Sequence, residues 1–369
     1  LRIAGRRVVY GSTRRQTTPL DANRAGRFFR GGIMEFSKTL LEWYDRERRA
    51  LPWRGTKDPY RVWLSEIMLQ QTRAEAVAVR YEAFLRRFPD VRALAGADEQ
   101  AVLKAWEGMG YYSRARNLLK AAKIAAESGF PRSAEGLRAL PGIGAYTAGA
   151  IASIAFNLPE PALDGNQIRV LSRVLLIGEP ISSPSQLREA ALARIDRDRP
   201  GDYNQALMDL GSGVCMPRNP GCGHCPVRAF CRAFAEGDPE SYPKLPPPVA
   251  RREVALTVML LFVGGRVLVR QRPSKGLLGG LWEFPNFEGD ALPEPLAGAH
   301  ALSELKHARH VFTHLVWNMR GIAAELPAAP EGYLAVGAEG LKALPFPTAL
   351  RAYREIALDM LSPKGSIAP

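Results

Sequence analysis

Four cysteines, the whole complement of the chain, fall between Cys215 and Cys231 in the spacing C-x6-C-x2-C-x5-C. One short loop must therefore bring four thiols to a common centre. A disulfide framework is disfavoured in a cytosolic chain with no other cysteine. Structural zinc commonly uses two C-x2-C pairs, whereas this loop has one pair with unequal flanking gaps. Unequal gaps suit a loop wrapped around four corners of a larger cube, so Cys215, Cys222, Cys225 and Cys231 fit a [4Fe–4S] cluster better than zinc, which stays the alternative.

At 369 residues the chain has room for two domains, each with a sizeable core. Fifty Lys+Arg against 37 Asp+Glu give a net charge of +13, which favours polyanionic partners but does not specify a fold. Much of that excess lies early: Leu1 to Arg30 holds eight Arg and one Asp without helical or strand periodicity. A basic arm on DNA phosphates is one reading of residues 1–33. The expectation is instead disorder, or upstream sequence translated ahead of Met34, which directly precedes the first amphipathic segment. No apolar run approaches the ~18–20 residues of a membrane span; the longest, Val254 to Val263, is strand-length. No apolar h-region follows the Arg-rich start. A cytoplasmic monomer with no membrane partner is expected.

From residue 34 to 235 apolar residues recur with helical spacing: Phe36 to Arg49, Val62 to Gln70, Ala74 to Arg87, Glu99 to Glu107, Arg114 to Glu127, Ala145 to Ala155 and Gln167 to Leu176. Residues 236–252, with Pro239, Pro243 and Pro246 to Pro248, read as a linker. Over 253–362 the pattern changes. Ala255 to Phe262 and Arg266 to Arg272 flank Gly264-Gly265 as a hairpin, Leu315 to Ile322 reads as strand, and a helix closes the chain near Ala349 to Leu361. The fold class is a mainly α N-terminal part followed by a smaller α+β domain.

Leu140-Pro-Gly-Ile-Gly144 directly precedes the segment from Ala145. Gly142 and Gly144 let backbone amides converge at a helix N-terminus, an arrangement suited to a phosphate. Together with Leu51-Pro-Trp-Arg54, Trp63 to Thr72, Trp106 to Ser113 and Leu163-Asp-Gly-Asn166 followed by Arg169-Val170, this run resembles the helix–hairpin–helix DNA glycosylases that carry an iron–sulfur cluster, and within them the adenine DNA glycosylases. The resemblance implies two α-helical subdomains plus a cluster loop at 215–231. It also implies a partner, double-stranded DNA with adenine opposite 8-oxoguanine or guanine.

It further implies hydrolysis of an N-glycosidic bond through an oxocarbenium-like sugar, which needs a proton donor and an anion. Glu66 matches the family's general acid, in apolar surroundings that raise a carboxyl pKa; the ordinary alternative is a solvated helix face. Asp164 matches the second acid, and could equally cap the helix at Gln167; Asn166 is expected to orient this centre. Tyr146 stands where relatives resembling endonuclease III, which also cut the strand, carry a Schiff-base lysine, so a monofunctional glycosylase is expected. The target adenine must leave the stack. Gln71 and Tyr111 match residues that wedge into DNA, Thr72 and Met109 positions beside 8-oxoguanine, Leu51, Trp53 and Arg54 the adenine pocket wall, and Gln205 a polar contact to the base. Aromatic residues such as Trp53 and Tyr111 are by default core.

Gly279-Gly-Leu-Trp-Glu-Phe-Pro285 resembles a Nudix-type domain. The Nudix catalytic box gathers glutamates on one helix for Mg²⁺, whereas Glu288, Glu294 and Glu304 are scattered. Lesion recognition is implied instead, with Phe312, Thr313 and His314 matching the loop that reads 8-oxoguanine; ordinary hairpin packing is the alternative for Phe312 and His314. A strand-cutting lyase is opposed by Tyr146. A lesion sensor or nucleotide-pool hydrolase is opposed by Glu66 with Asp164 and by the missing metal box.

Overall fold

The computed structural model describes residues 34–246, 250–289 and 299–362. The basic stretch 1–33, part of the linker and Glu294 lie outside them. The first part is helical: α1 (residues 34–47), α2 (Pro59–Leu69), α3 (Ala74–Arg87), α4 (Val91–Ala95), α5 (Glu99–Ala105), α6 (Ser113–Ser128), α7 (Ala134–Arg138), α8 (Ala145–Ile154), α9 (Gly165–Leu175), α10 (Arg188–Leu192), α11 (Pro200–Gly213) and α12 (Arg232–Ala235). Their apolar faces build two main cores. One joins α2, α3, α5 and α6 through Trp63, Met68, Phe84, Leu103 and Leu118. The other joins α1 to α9 and α11 through Leu40, Tyr44, Val170 and Leu207, with Cys215 and Cys225 packed at its edge. The chain's first helix thus packs on its last long ones, and the two halves are two subdomains.

The helices that periodicity did not reveal have a common explanation. α4, α7 and α10 are five residues each, too short to display a 3.6-residue stripe. α11 is buried almost all round, so it has no polar face to alternate with.

The second part carries β1 (Arg252–Val263), β2 (Arg266–Gln271), β3 (Trp282–Glu283), β4 (Asn286–Glu288), β5 (His300–Val311), β6 (Leu315–Glu325), β7 (Leu334–Val336), α13 (Ala338–Ala343) and α14 (Arg351–Met360). The sheet order is β3-β2-β1-β6-β5, with β4 also paired to β1 and β7 to β2. β1 and β6 run parallel from Arg252↔Leu315 to Phe262↔Glu325. Burial on both faces explains why β1 reads as an apolar run broken only by Thr257. β5 and β6 form an antiparallel hairpin whose turn is Phe312 to His314, closed by Phe312 N–H donating to the Leu315 carbonyl at 2.8 Å. No helix among the described residues is long and apolar enough to cross a membrane.

The linker expected over 236–252 is docked over its first part. Arg173 Nε donates to the Tyr242 carbonyl at 3.0 Å, and Ile181 N–H to the Lys244 carbonyl at 3.0 Å. At its other end Arg252 is already strand. The two parts are joined directly as well. Leu281 is buried in the helical core, Tyr112 donates to the Phe346 carbonyl at 3.1 Å, and Arg354 pairs with Glu107.

Within the sheet, Glu283 is 2% exposed and is held by Arg270, Arg272 and Asn286. Glu283→Ala leaves two arginines that still reach water, so the expected loss is about 2–3 kcal/mol rather than the full cost of an isolated buried charge. A lower urea midpoint of unfolding checks it.

Candidate active site

α2 begins where Pro59 sets the first turn and Asp58 accepts from Tyr60 N–H at 2.9 Å. The helix is apolar on nearly every side, with Val62, Trp63, Leu64, Ile67 and Met68 buried, and it carries Glu66 inside with them at 4% exposure. A solvated helix face is therefore excluded for Glu66. Opposite it lies α8, capped by Gly144 and built largely of Ala, Gly and Ser, which allows close approach. From its first turn Tyr146 donates its hydroxyl to Glu66 Oε2. Burial pushes the Glu66 carboxyl up; the Tyr146 hydrogen bond and the Arg54 charge pull it down, and Asp164 adds to the rise. Burial likewise holds the Tyr146 phenol well above its usual range, so it stays a donor.

Asp164 caps α9, its Oδ1 accepting from Gln167 N–H at 2.7 Å, while Oδ2 accepts from Asn166 Nδ2 at 2.9 Å. Burial raises this carboxyl and the hydrogen bonds lower it. Asn166 is fixed in turn by Arg169, which donates to its Oδ1 at 2.8 Å, and by Gly211 of α11, where a Cβ would lie 2.5 Å from that of Asn166. Capping and a place in the cavity therefore coexist at Asp164.

Glu66, Tyr146, Asp164 and Asn166 line one cavity of about 650 Å³ with Leu51, Trp53, Arg54, Gln71, Thr72, Tyr111 and Gln205. Gln205 is buried on α11 with its amide donating to the Gly201 carbonyl at 3.2 Å. Trp53 is both core and cavity wall. Met109 is the exception, buried in the helical core away from the cavity lining, with its carbonyl accepting from Arg114 at 2.8 Å.

Gln71 and Tyr111 both adopt left-handed backbone, φ +56° and +45°, a costly conformation for residues with a Cβ. Tyr111 is 46% exposed, and its hydroxyl donates to Gln71 Oε1 at 2.7 Å. The same hydroxyl lies 2.8 Å from Thr313 Oγ1, so the β5–β6 turn reaches the cavity mouth. In that turn Phe312 packs edge-on against His310 and Trp317, with centroids 4.6 and 4.9 Å away, whereas Thr313 and His314 are exposed. Gly142 has φ +79° and lies so near Asn117 that a Cβ would come within 2.7 Å of it; with the exposed Gly144 it opens α8 toward solvent.

The four cysteines line one small pocket with Arg173, whose guanidinium donates to Cys215 Sγ at 3.2 Å. Among the described residues no three His, Cys, Asp or Glu side chains close tightly enough to hold one ion.

Sequence reasoning missed three polar residues. Arg114 donates to the carbonyls of Ile67 at 2.7 Å, Gln70 and Met109, bracing the end of α2 against the Tyr111 loop. Arg49 sits at the cavity wall with Arg54, and the buried Asp209 pairs with both. The signal for Asp209 is its position four residues after Gln205, visible once α11 is known to be a helix.

The raised Glu66 value has a thermodynamic sign. Its contribution to the fold is fully present below the unfolded-state carboxyl pKa and is lost as pH rises through the folded-state value. Glu66→Gln never ionises, so it should gain on the natural protein with rising pH and be the more stable of the two at about pH 8. Urea midpoints across the pH range check this; a constant difference would count against a buried, hard-to-ionise carboxyl.

Comparison with known proteins identifies both parts of the chain. Residues 64–196 match the HhH-GPD superfamily of base excision DNA repair proteins, and 257–355 a NUDIX domain. Adenine DNA glycosylase of Mus musculus is 36% identical over 383 residues, covering 84% of this chain and 74% of the relative. That of Homo sapiens is 37% identical, covering 79% and 68%. A thermostable thymine-DNA glycosylase superposes with a TM-score of 0.52 at 27% identity, over 56% of this chain and 98% of that one. With a helical glycosylase fold, a Nudix-like sheet and relatives aligned over most of both chains, the protein belongs to the adenine DNA glycosylase family.

Proposed function

We propose that the protein is a monofunctional glycosylase that hydrolyses adenine from double-stranded DNA where it lies opposite 8-oxoguanine or guanine. The observation that carries this reading is the pairing of Glu66 and Asp164 on one cavity, both with carboxyls raised by burial but differently partnered. Glu66, whose partner is a phenol that stays protonated, is the acid that gives a proton to the flipped adenine. Asp164, fixed by Gln167 N–H and Asn166, supplies the anion facing the cationic sugar as the bond to the base breaks. Water then adds to the sugar and gives its proton to Glu66, which is left as the carboxylate when adenine departs. Tyr146 cannot form a Schiff base, and among the described residues lining the cavity there is no lysine, which supports hydrolysis without strand cleavage.

Glu66→Gln tests the assignment: adenine release in a single turnover should fall by at least about 10³-fold with lesion-duplex binding retained. Near-normal release would remove Glu66 from this role.

The four cysteines are proposed to hold a [4Fe–4S] cluster. The donor set fits: four sulfurs surround a pocket rather than a point, and the buried Arg173 offsets part of the negative charge of thiolate ligands. When bound, the cluster supplies four metal–thiolate bonds that tie the loop together. Iron and acid-labile sulfide at about four each per chain, with a yellow-brown colour, are the expected analysis; stoichiometric zinc in a colourless protein would contradict it.

Recognition of the opposing base is assigned to Phe312, Thr313 and His314. Support comes from the Tyr111–Thr313 contact, which brings the exposed turn of the second domain to the cavity mouth. Replacing Phe312 and His314 together by Ala should lower the preference for adenine opposite 8-oxoguanine over guanine by roughly ten- to a hundredfold. An unchanged ratio of single-turnover rates would move recognition elsewhere.

A further inference from the structure

We propose that Asp209 is a positioning residue: it holds the guanidinium groups of Arg49 and Arg54 on the cavity wall and so keeps Arg54 from closing an ion pair with Glu66. The inference rests on the reading of Glu66 as proton donor.

Asp209 lies on α11 at 3% exposure, too buried to be a surface partner. Its Oδ1 accepts from Arg49 Nε at 2.9 Å and from Arg54 at 2.8 Å, and its Oδ2 from Arg49 N–H at 3.3 Å. The second terminal nitrogen of Arg54 donates to the Tyr44 hydroxyl at 3.2 Å. Both ends of the Arg54 fork are thus taken by α1 and α11, while its buried Nε has no hydrogen-bond partner among the described residues.

The arrangement answers an electrostatic problem. A proton donor must stay protonated, yet Arg54 lines the same cavity as Glu66, and a guanidinium that closed on the carboxyl group would lower its pKa and leave it ionised. The groups acting on Glu66 are Tyr146 from α8, Arg54 from the segment before α2, and Asp164 before α9. Of these, Arg54 is the cation, and from where it stands it already pulls the carboxyl down against the rise from burial. Asp209 offsets that charge and anchors it at the wall. Neutralising Asp209 leaves Arg49 and Arg54 without their shared anion, and the nearest carboxylates facing the cavity are Glu66 and Asp164.

The experiment is the pH profile of single-turnover adenine release from a duplex with adenine opposite 8-oxoguanine. Asp209→Asn should move the alkaline limb to lower pH, costing about tenfold at the alkaline end and much less at the acid end. Adding Arg54→Gln to Asp209→Asn should return the limb to where Arg54→Gln alone places it. Asp209→Glu, which keeps the charge, should retain the natural limb, and it carries the test if the neutral variant does not fold. A limb unmoved in Asp209→Asn, a loss equal at every pH, or a limb displaced in Asp209→Glu overturns the proposal. Failure of the underlying reading is distinguishable, because Glu66→Gln would then release adenine with no alkaline limb to move.

Discussion

The site depends on keeping a carboxyl group out of water. Burying Glu66 opposes folding once the group ionises, and the packing around α2 must outweigh that cost. The apolar surface of α2 does so through Trp63, Leu64 and Met68, all fully enclosed in the larger helical core. The small side chains of α8 then set the distance at which Tyr146 meets the acid. At Gly149 the backbone is so close to the Pro161 carbonyl that no Cβ fits. Any larger residue there would push α8 away from the segment leading to Asp164, and the two acids would lose their common cavity.

Much of this was legible in the sequence, for identifiable reasons. Glu66 and Asp164 stood out through motifs that resemble those of the helix–hairpin–helix glycosylases; on the residues alone a solvated helix face and a plain helix cap stayed open. The cysteine spacing pointed to four thiols gathered in one loop, and the four line one pocket. The two-part architecture showed in the change from helical to strand periodicity across the prolines. What stayed hidden were features with no period of their own: five-residue helices, strands of two or three residues, and α11, whose burial on all sides erases the amphipathic signal. Asp209 went unseen with it. At Met109 motif position fixes where the backbone runs but not which way a side chain points, and here it points into the core.

The contact between domains was beyond the sequence because it is made of pairs far apart in the chain. Glu107 meets Arg354, Tyr112 meets the Phe346 carbonyl, and Tyr111 meets Thr313. All three helical-domain partners lie in one short stretch after α5, and that stretch also carries the left-handed Tyr111. Strain of this kind persists only where surroundings over-determine the backbone. Arg114 supplies that constraint on the inner side by gathering carbonyls from both α2 and residues 109–110. The second domain supplies it on the outer side. A loop held from both sides can present an aromatic ring to solvent without collapsing onto the core, and Tyr111 is 46% exposed.

The same logic joins the cysteine loop to the acids. α9 begins at Asp164 and runs past Arg169 to Arg173. Arg169 donates to Asn166 Oδ1 at 2.8 Å and to the Cys215 carbonyl at 2.8 Å; Arg173 donates to Cys215 Sγ at 3.2 Å and to the Met216 carbonyl at 2.7 Å. Both arginines are four residues apart, so they leave the helix on one face and grip the start of the loop together. Arg173 is buried and Arg169 half-buried, and a desolvated guanidinium without acceptors is costly, so the loop backbone must stay where its carbonyls can serve them. Order in the loop and orientation of Asn166 are consequently the same structural fact. A loop that lost its shape would release Arg169, Asn166 would lose the group that fixes it, and Asp164 would keep its cap to Gln167 but not its alignment toward the cavity.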